Sequence, residues 1–285
     1  MINDSDDHPK RLHPRQGTAA TLFGGVAAAM LSSLSTFIAI NVLHGLWPKI
    51  SKEEFALNPS VIATGAIVTS LAMTTTALMT PIVCDVPVRN ALGLNRIDPR
   101  LIPLALIGAL GIAPLGDWTR HWLKEIAPEL SVGNLDFLEQ ALSNFPLPLG
   151  LFCISLLPGI AEELFFRGML QRSLPVGTIG ISITGCFFAL FHIDPPHIAG
   201  VLPLGLYLSW LLHRTDSVWI PMLCHITNNA LALLMLSNSN IEATSTPVPL
   251  PYLSFGLITS LLCSLWIVKM TAVRFGTTRQ GTKAS

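Results

Sequence analysis

The sequence predicts an all-α, polytopic membrane protein: a bundle of about eight transmembrane helices. Composition is the first sign. Of 285 residues, 51% are hydrophobic and 12% charged, with a mean hydropathy of +0.57, whereas soluble domains carry about a quarter charged residues. The second sign is a series of apolar runs long enough to cross a bilayer, about 17–25 residues each. The third is the placement of lysine and arginine between those runs.

Taken in order, the polar tail 1–17 holds Lys10, Arg11 and Arg15. The apolar run after it, 18–46, is too long for a signal-peptide core of about 7–15 residues and reads as an uncleaved first span. Further runs lie at 61–84, 146–172, 176–193, 217–236 and 250–271, with two shorter ones at 101–116 and 198–213. Counting both short runs gives eight spans, a membrane domain over 18–274 and a second polar tail over 275–285.

With both termini in the cytoplasm, thirteen of the seventeen basic residues fall inside, and only Lys49, Lys52, Arg120 and Lys124 fall outside. That is the bias expected of an integral protein of an inner or plasma membrane. Omitting one short run would put the basic clusters on alternating wrong sides.

The longest loop, 117–145, carries Trp118, Trp122 and Ile126 at four-residue spacing, and Leu135, Leu138, Leu142 and Phe145 on a second face. An amphipathic helix pair on the outer interface is expected there.

A formal net charge of zero without a basic stripe excludes nucleic acid as a partner; the bilayer itself is the partner implied. Cys84, Cys153, Cys186, Cys224 and Cys263 all lie in or beside apolar runs, no two in a CxxC pair, and read as small buried hydrophobes.

Against this background Glu162, Glu163 and Arg167 stand out, because a charge at the centre of a membrane helix costs roughly 2.5–3.5 kcal/mol. Glu163 and Arg167 are four residues apart and can pair along one helix face. Glu162 is turned about 100° away and is free to act as a general base. A buried structural ion triad would use the same three residues. In the second motif, Phe188 and His192 share a face near a helix end, followed by Asp194-Pro195-Pro196. Asp194 either orients the imidazole or marks the helix break before the prolines. In the third, Ser217 and Trp219 lead into His225 and Asn229, four apart, which either tie helices together or aim donors at an oxyanion.

Glu-Glu-x-x-x-Arg, Phe-x-x-x-His and His-x-x-x-Asn, each on its own helix in this order, resemble the CAAX-protease and bacteriocin-processing (CPBP, or Abi) family of intramembrane proteases. The resemblance covers the core, 146–236. It implies that Glu162 is the catalytic carboxylate and His192 its partner on the attacking water. It implies that His225 and Asn229 stabilise the oxyanion, with Glu163 and Arg167 supporting them from behind. Members of the family were long labelled metalloproteases and later viewed as glutamate-type enzymes that need no metal.

A site without cofactor is expected; were zinc bound, Glu162, His192 and His225 would be its ligands. The expected substrate is a membrane-associated or lipidated protein or peptide, entering from the membrane or the cytoplasmic side. The alternative class is a non-catalytic immunity or partner protein, or a small proton-coupled transporter. Straight spans leave one conflict: His192 lies nearer the outer face than Glu162 and His225, unless a helix starts late or kinks, for instance at Pro158-Gly159.

Overall fold

The computed structural model describes residues 11–130, 141–142, 145–238 and 247–280, with Asn238 and residues 273–280 described by their backbone alone. Every regular element among them is helical. Eight long helices occur, one at each expected run: α1 (Pro14–Leu46), α2 (Pro59–Val83), α3 (Leu101–Ile126), α4 (Leu147–Gln171), α5 (Thr178–Leu190), α6 (Pro195–Thr215), α7 (Trp219–Asn238) and α8 (Leu250–Gln280). Six are long and apolar enough to cross a membrane; α5, with thirteen residues, is too short, and α6 is more polar.

Several helices begin as their sequences dictate. Pro14, Pro59 and Pro195 each occupy a first helical turn, where a missing N–H costs nothing. The residues before them close the ends. Asn58 accepts from the Ser60 amide, and Asp194 from the His197 amide. Asp194 therefore serves α6, and no bond to the His192 ring is formed by it.

Two expectations change. Helix α3 does not stop at residue 116 but runs to Ile126 through Pro114. The periodicity of Trp118, Trp122 and Ile126 is that of this one helix continuing, with the two indoles stacked at 6.0 Å. The second half of the expected pair falls largely on residues 131–140 and 143–144, outside the described residues. Of the cysteines, Cys186 is exposed and Cys84 half-buried, so only Cys153, Cys224 and Cys263 are core hydrophobes; all five thiols are free.

Helix α4 lies at the centre. Every residue from Glu163 to Gln171 is buried, against α1, α2, α5 and α7 among others. It is not uniformly α-helical: Leu151–Leu156 and Glu163–Gln171 are wound as π-helix, a form associated with functional sites. Its contact with α7 is close because Gly159 has no side chain. A Cβ there would lie 2.5 Å from Ile226 Cγ1 and 3.2 Å from the Ile226 amide nitrogen. Pro158-Gly159 thus serves helix approach. Ser155 completes that seam by donating to the Ile226 carbonyl at 2.7 Å.

Helices α5 and α6 form a hairpin whose tip is His192-Ile193-Asp194. Gly185 and Gly205 let the arms approach, and a Cβ on Gly205 would sit 3.2 Å from the Gly185 carbonyl. Residues Ile179, Cys186 and Leu190 leave one side of α5 exposed.

Candidate active site

A cavity of about 510 Å³ lies between α3, α4, α5, α6 and α7. Glu162, Phe188, His192, His225 and Asn229 all line it. Their neighbours Glu163 and Arg167 do not reach it, because the turn of α4 that presents Glu162 points the next residue into the protein.

Glu163 and Arg167 are both 0% exposed, and Arg167 Nη1 donates to Glu163 Oε1 at 2.7 Å. Arg167 Nη2 donates to the Gly205 carbonyl at 2.8 Å, and its guanidinium carbon lies 4.3 Å over the Phe188 ring. The cation therefore meets a carboxylate, a carbonyl and a π face, the partners that make a desolvated charge tolerable.

The same carboxylate oxygen, Glu163 Oε1, accepts from His225 Nδ1 at 2.8 Å. This bond fixes the ring and turns Nε2 toward Glu162, whose Oε2 is 4.0 Å away. That gap is too long for a direct hydrogen bond and suits one bridging water. Glu162 itself is half-buried, with 17% of its side chain exposed to the cavity.

His192 sits in the turn after α5. Its Nδ1 bonds to the Phe188 carbonyl at 3.0 Å, and its ring packs on Phe188 at 5.3 Å. Phe188 also meets the His225 ring edge-on at 5.5 Å, so one aromatic separates and aligns the two imidazoles. The depth conflict resolves here. Thirteen residues of α5 rise only about 20 Å, so His192 stops inside the bundle beside the other residues. Asn229 reaches α4, its Nδ2 donating to the Ile154 carbonyl at 3.3 Å. A second Nδ2 hydrogen and the amide oxygen remain for the cavity.

The cavity includes residues that sequence reasoning passed over. His197 packs edge-on against His192 with centroids 4.4 Å apart, and Asp117 and Arg120 pair at 2.9 Å on the same wall. Asn228 lines the cavity as well. The Pro195-Pro196 helix start was the available signal for His197, because it folds the chain back and brings the fifth residue after His192 alongside it. Nothing local marks Asp117 and Arg120, which arrive from another helix. Cys224, beside His225 in sequence, packs away from the cavity with Leu101, Tyr207 and Ile220.

Zinc can be tested against these side chains. Both Nδ1 atoms are committed, to Glu163 and to the Phe188 carbonyl, which leaves each Nε2 as a potential ligand. Among the described residues, however, no three His, Cys, Asp or Glu side chains are gathered closely enough to hold an ion. The residues as placed do not fit a metal.

Residues 144–231, which contain Glu162, Glu163, Arg167, His192, His225 and Asn229, match a family described as type II CAAX prenyl endopeptidase Rce1-like. This segment is similar to that family of CAAX-type proteases. A Bacillus subtilis (strain 168) protein named "Putative membrane peptidase YdiL" is 27% identical over 93 residues, 31% of this chain and 38% of that protein. The chain thus aligns with well under half the length of that relative. No solved structure matches. The matched segment runs from just before α4 into α7, the four helices that carry Glu162, His192, His225 and Asn229.

Proposed function

We propose that this protein is an intramembrane endopeptidase that hydrolyses a peptide bond in a membrane-associated protein or peptide. The observation that carries the proposal is the facing pair, Glu162 Oε2 and His225 Nε2 at 4.0 Å, inside a cavity walled by apolar helices. Hydrolysis in a bilayer needs such an enclosed polar space, since neither water nor unpaired backbone is tolerated in hydrocarbon.

In this reading Glu162 takes a proton from a water that His192 helps to orient. The water oxygen attacks the substrate carbonyl carbon, and the negative charge gathers on the carbonyl oxygen. Asn229 donates to that oxyanion through its spare amide hydrogen, and His225 through Nε2. For His225 to donate there while Nδ1 donates to Glu163, the ring must be an imidazolium, and the Glu163 carboxylate is its counter-ion. Collapse of the intermediate breaks the C–N bond, and the departing amine leaves with the proton held by Glu162. No metal is required. Both termini lie in the cytoplasm, in a plasma or inner membrane, with 18–274 as the membrane domain and 146–236 as its catalytic core.

The test compares protein termini in membranes of cells carrying the wild type and Glu162→Gln, a change that keeps shape and removes the base. New termini made only by the wild type support the proposal. Identical termini from an equally abundant variant that retains a phenotype would instead favour a transporter, and identical termini with no phenotype a non-catalytic partner.

A further inference from the structure

The two ends of the bundle differ, and the cavity's lining extends toward only one of them. At one end Arg172 pairs with Asp216, lies against the Asn90 carbonyl, and shares a second cavity of about 400 Å³ with Arg11 and Arg214. Arg89, Arg96 and Arg100 are on the segment packed there, where Asn95 bonds Asp216 and Ser217 bonds the Asn95 carbonyl. At the other end α1, α3 and α7 finish and α2, α4 and α8 begin. Its basic residues Lys49, Lys52, Arg120 and Lys124 are offset by Glu53, Glu54, Asp117, Glu125 and Glu129. By the positive-inside rule the arginine-rich end is cytoplasmic.

The site cavity contains none of those arginines, and His225, six residues from Trp219, is the lining residue of α7 nearest that end. From Glu162 and His225 it extends to Asp117 and Arg120, sixteen and nineteen residues along α3 from Leu101, and to Met235 and Leu236 in the last turns of α7. At 1.5 Å per residue those walls lie about 24–29 Å from the cytoplasmic ends of their helices. Met235 is 71% exposed and forms the rim.

We infer that the substrate reaches the site from the non-cytoplasmic face. Its class is then a membrane-anchored or exported polypeptide with a segment unwound at that face, and a cytoplasmic prenylated tail is excluded. This rests on the peptidase reading above and narrows its substrate. The length of the segment follows from depth. Glu162 is fifteen residues from Leu147, roughly 22 Å below that end of α4. An extended chain covers about 3.3–3.6 Å per residue, so about six or seven residues must enter unwound.

The test uses full-length protein with the five cysteines replaced and a single new one, either Ser237→Cys beside the rim or Val176→Cys at the arginine-rich end. A membrane-impermeant maleimide is applied to intact and to lysed cells. Labelling of Ser237→Cys in intact cells, with Val176→Cys labelled only after lysis, is the expected result; the reverse pattern overturns the inference. Should the cysteine-free protein fail to accumulate, green fluorescent protein fused to the C-terminus of the unaltered chain reads the same orientation. A fluorescent fusion is expected, and a dark fusion present at normal abundance overturns the inference. Neither readout needs turnover, so failure of the peptidase reading leaves both intact. If turnover is seen, wild-type-dependent termini lying in cytoplasmic segments also overturn the inference.

Discussion

Glu163 and His225, 62 residues apart, share a 2.8 Å hydrogen bond that leaves the imidazole one nitrogen facing Glu162. Because Glu163 Oε1 also holds Arg167, the chain Arg167–Glu163–His225 sets the angle of a ring that Glu163 keeps out of contact with the cavity-facing carboxylate. Glu163→Gln keeps the shape and removes the charge. It should lower kcat by at least roughly tenfold with little change in KM, as expected when the orienter of a reacting group is weakened. Steady-state cleavage of a substrate peptide in detergent checks the split; a change confined to KM would assign Glu163 to substrate binding instead.

Asn229→Ala should reduce turnover by roughly 100- to 1000-fold, the usual loss of an oxyanion donor. The same variant should keep its thermal midpoint, since the bond it gives up, to the Ile154 carbonyl, is long at 3.3 Å. Unchanged turnover would remove Asn229 from the reaction.

Arg167→Ala should act on stability. It strands the fully buried Glu163 carboxylate and exposes a void beneath Phe188. Breaking a buried pair from one side costs about 3–5 kcal/mol, readable as a lowered unfolding midpoint in detergent.

Much of this was legible in advance, and the rest fails for identifiable reasons. The eight helices are found where apolar runs predicted them, because membrane helices must be continuous stretches. Glu162 and Glu163 diverge as adjacent helical residues must. Helix ends were not legible from hydropathy: α5 stops at Leu190 inside an apolar run, and α3 passes residue 116 although hydropathy falls there. Partners between helices were hidden as well. Nothing in the spacing joins Glu163 to His225, or Asp117 and Arg120 to His197.

Gly159→Ala should separate α4 from α7, since its Cβ meets Ile226. Overpacking of this kind costs about 1–3 kcal/mol, and activity should fall more than stability because the Glu162–His225 gap widens. Adding Ile226→Ala removes the nearest obstructing atom and should restore part of the activity. No recovery in the double variant would place the effect on the backbone at Ile226.

Replacing all five cysteines should leave accumulation and cleavage intact, given five free thiols and a Cys224 turned from the cavity. Gross misfolding of that variant would contradict it.

Helix α5 also has a consequence for the surrounding lipid. Its exposed side chains Ile179, Cys186 and Leu190 lie on a rod of only about 20 Å, while a typical hydrocarbon layer is about 30 Å thick. Acyl chains beside this wall must shorten or tilt to avoid stranding apolar length against polar ends, at a fraction of a kcal/mol per ångström of mismatch. A bilayer of ordinary thickness is mismatched to a rod of that length, so membrane thickness becomes a variable for the histidine-bearing hairpin alongside its own side chains.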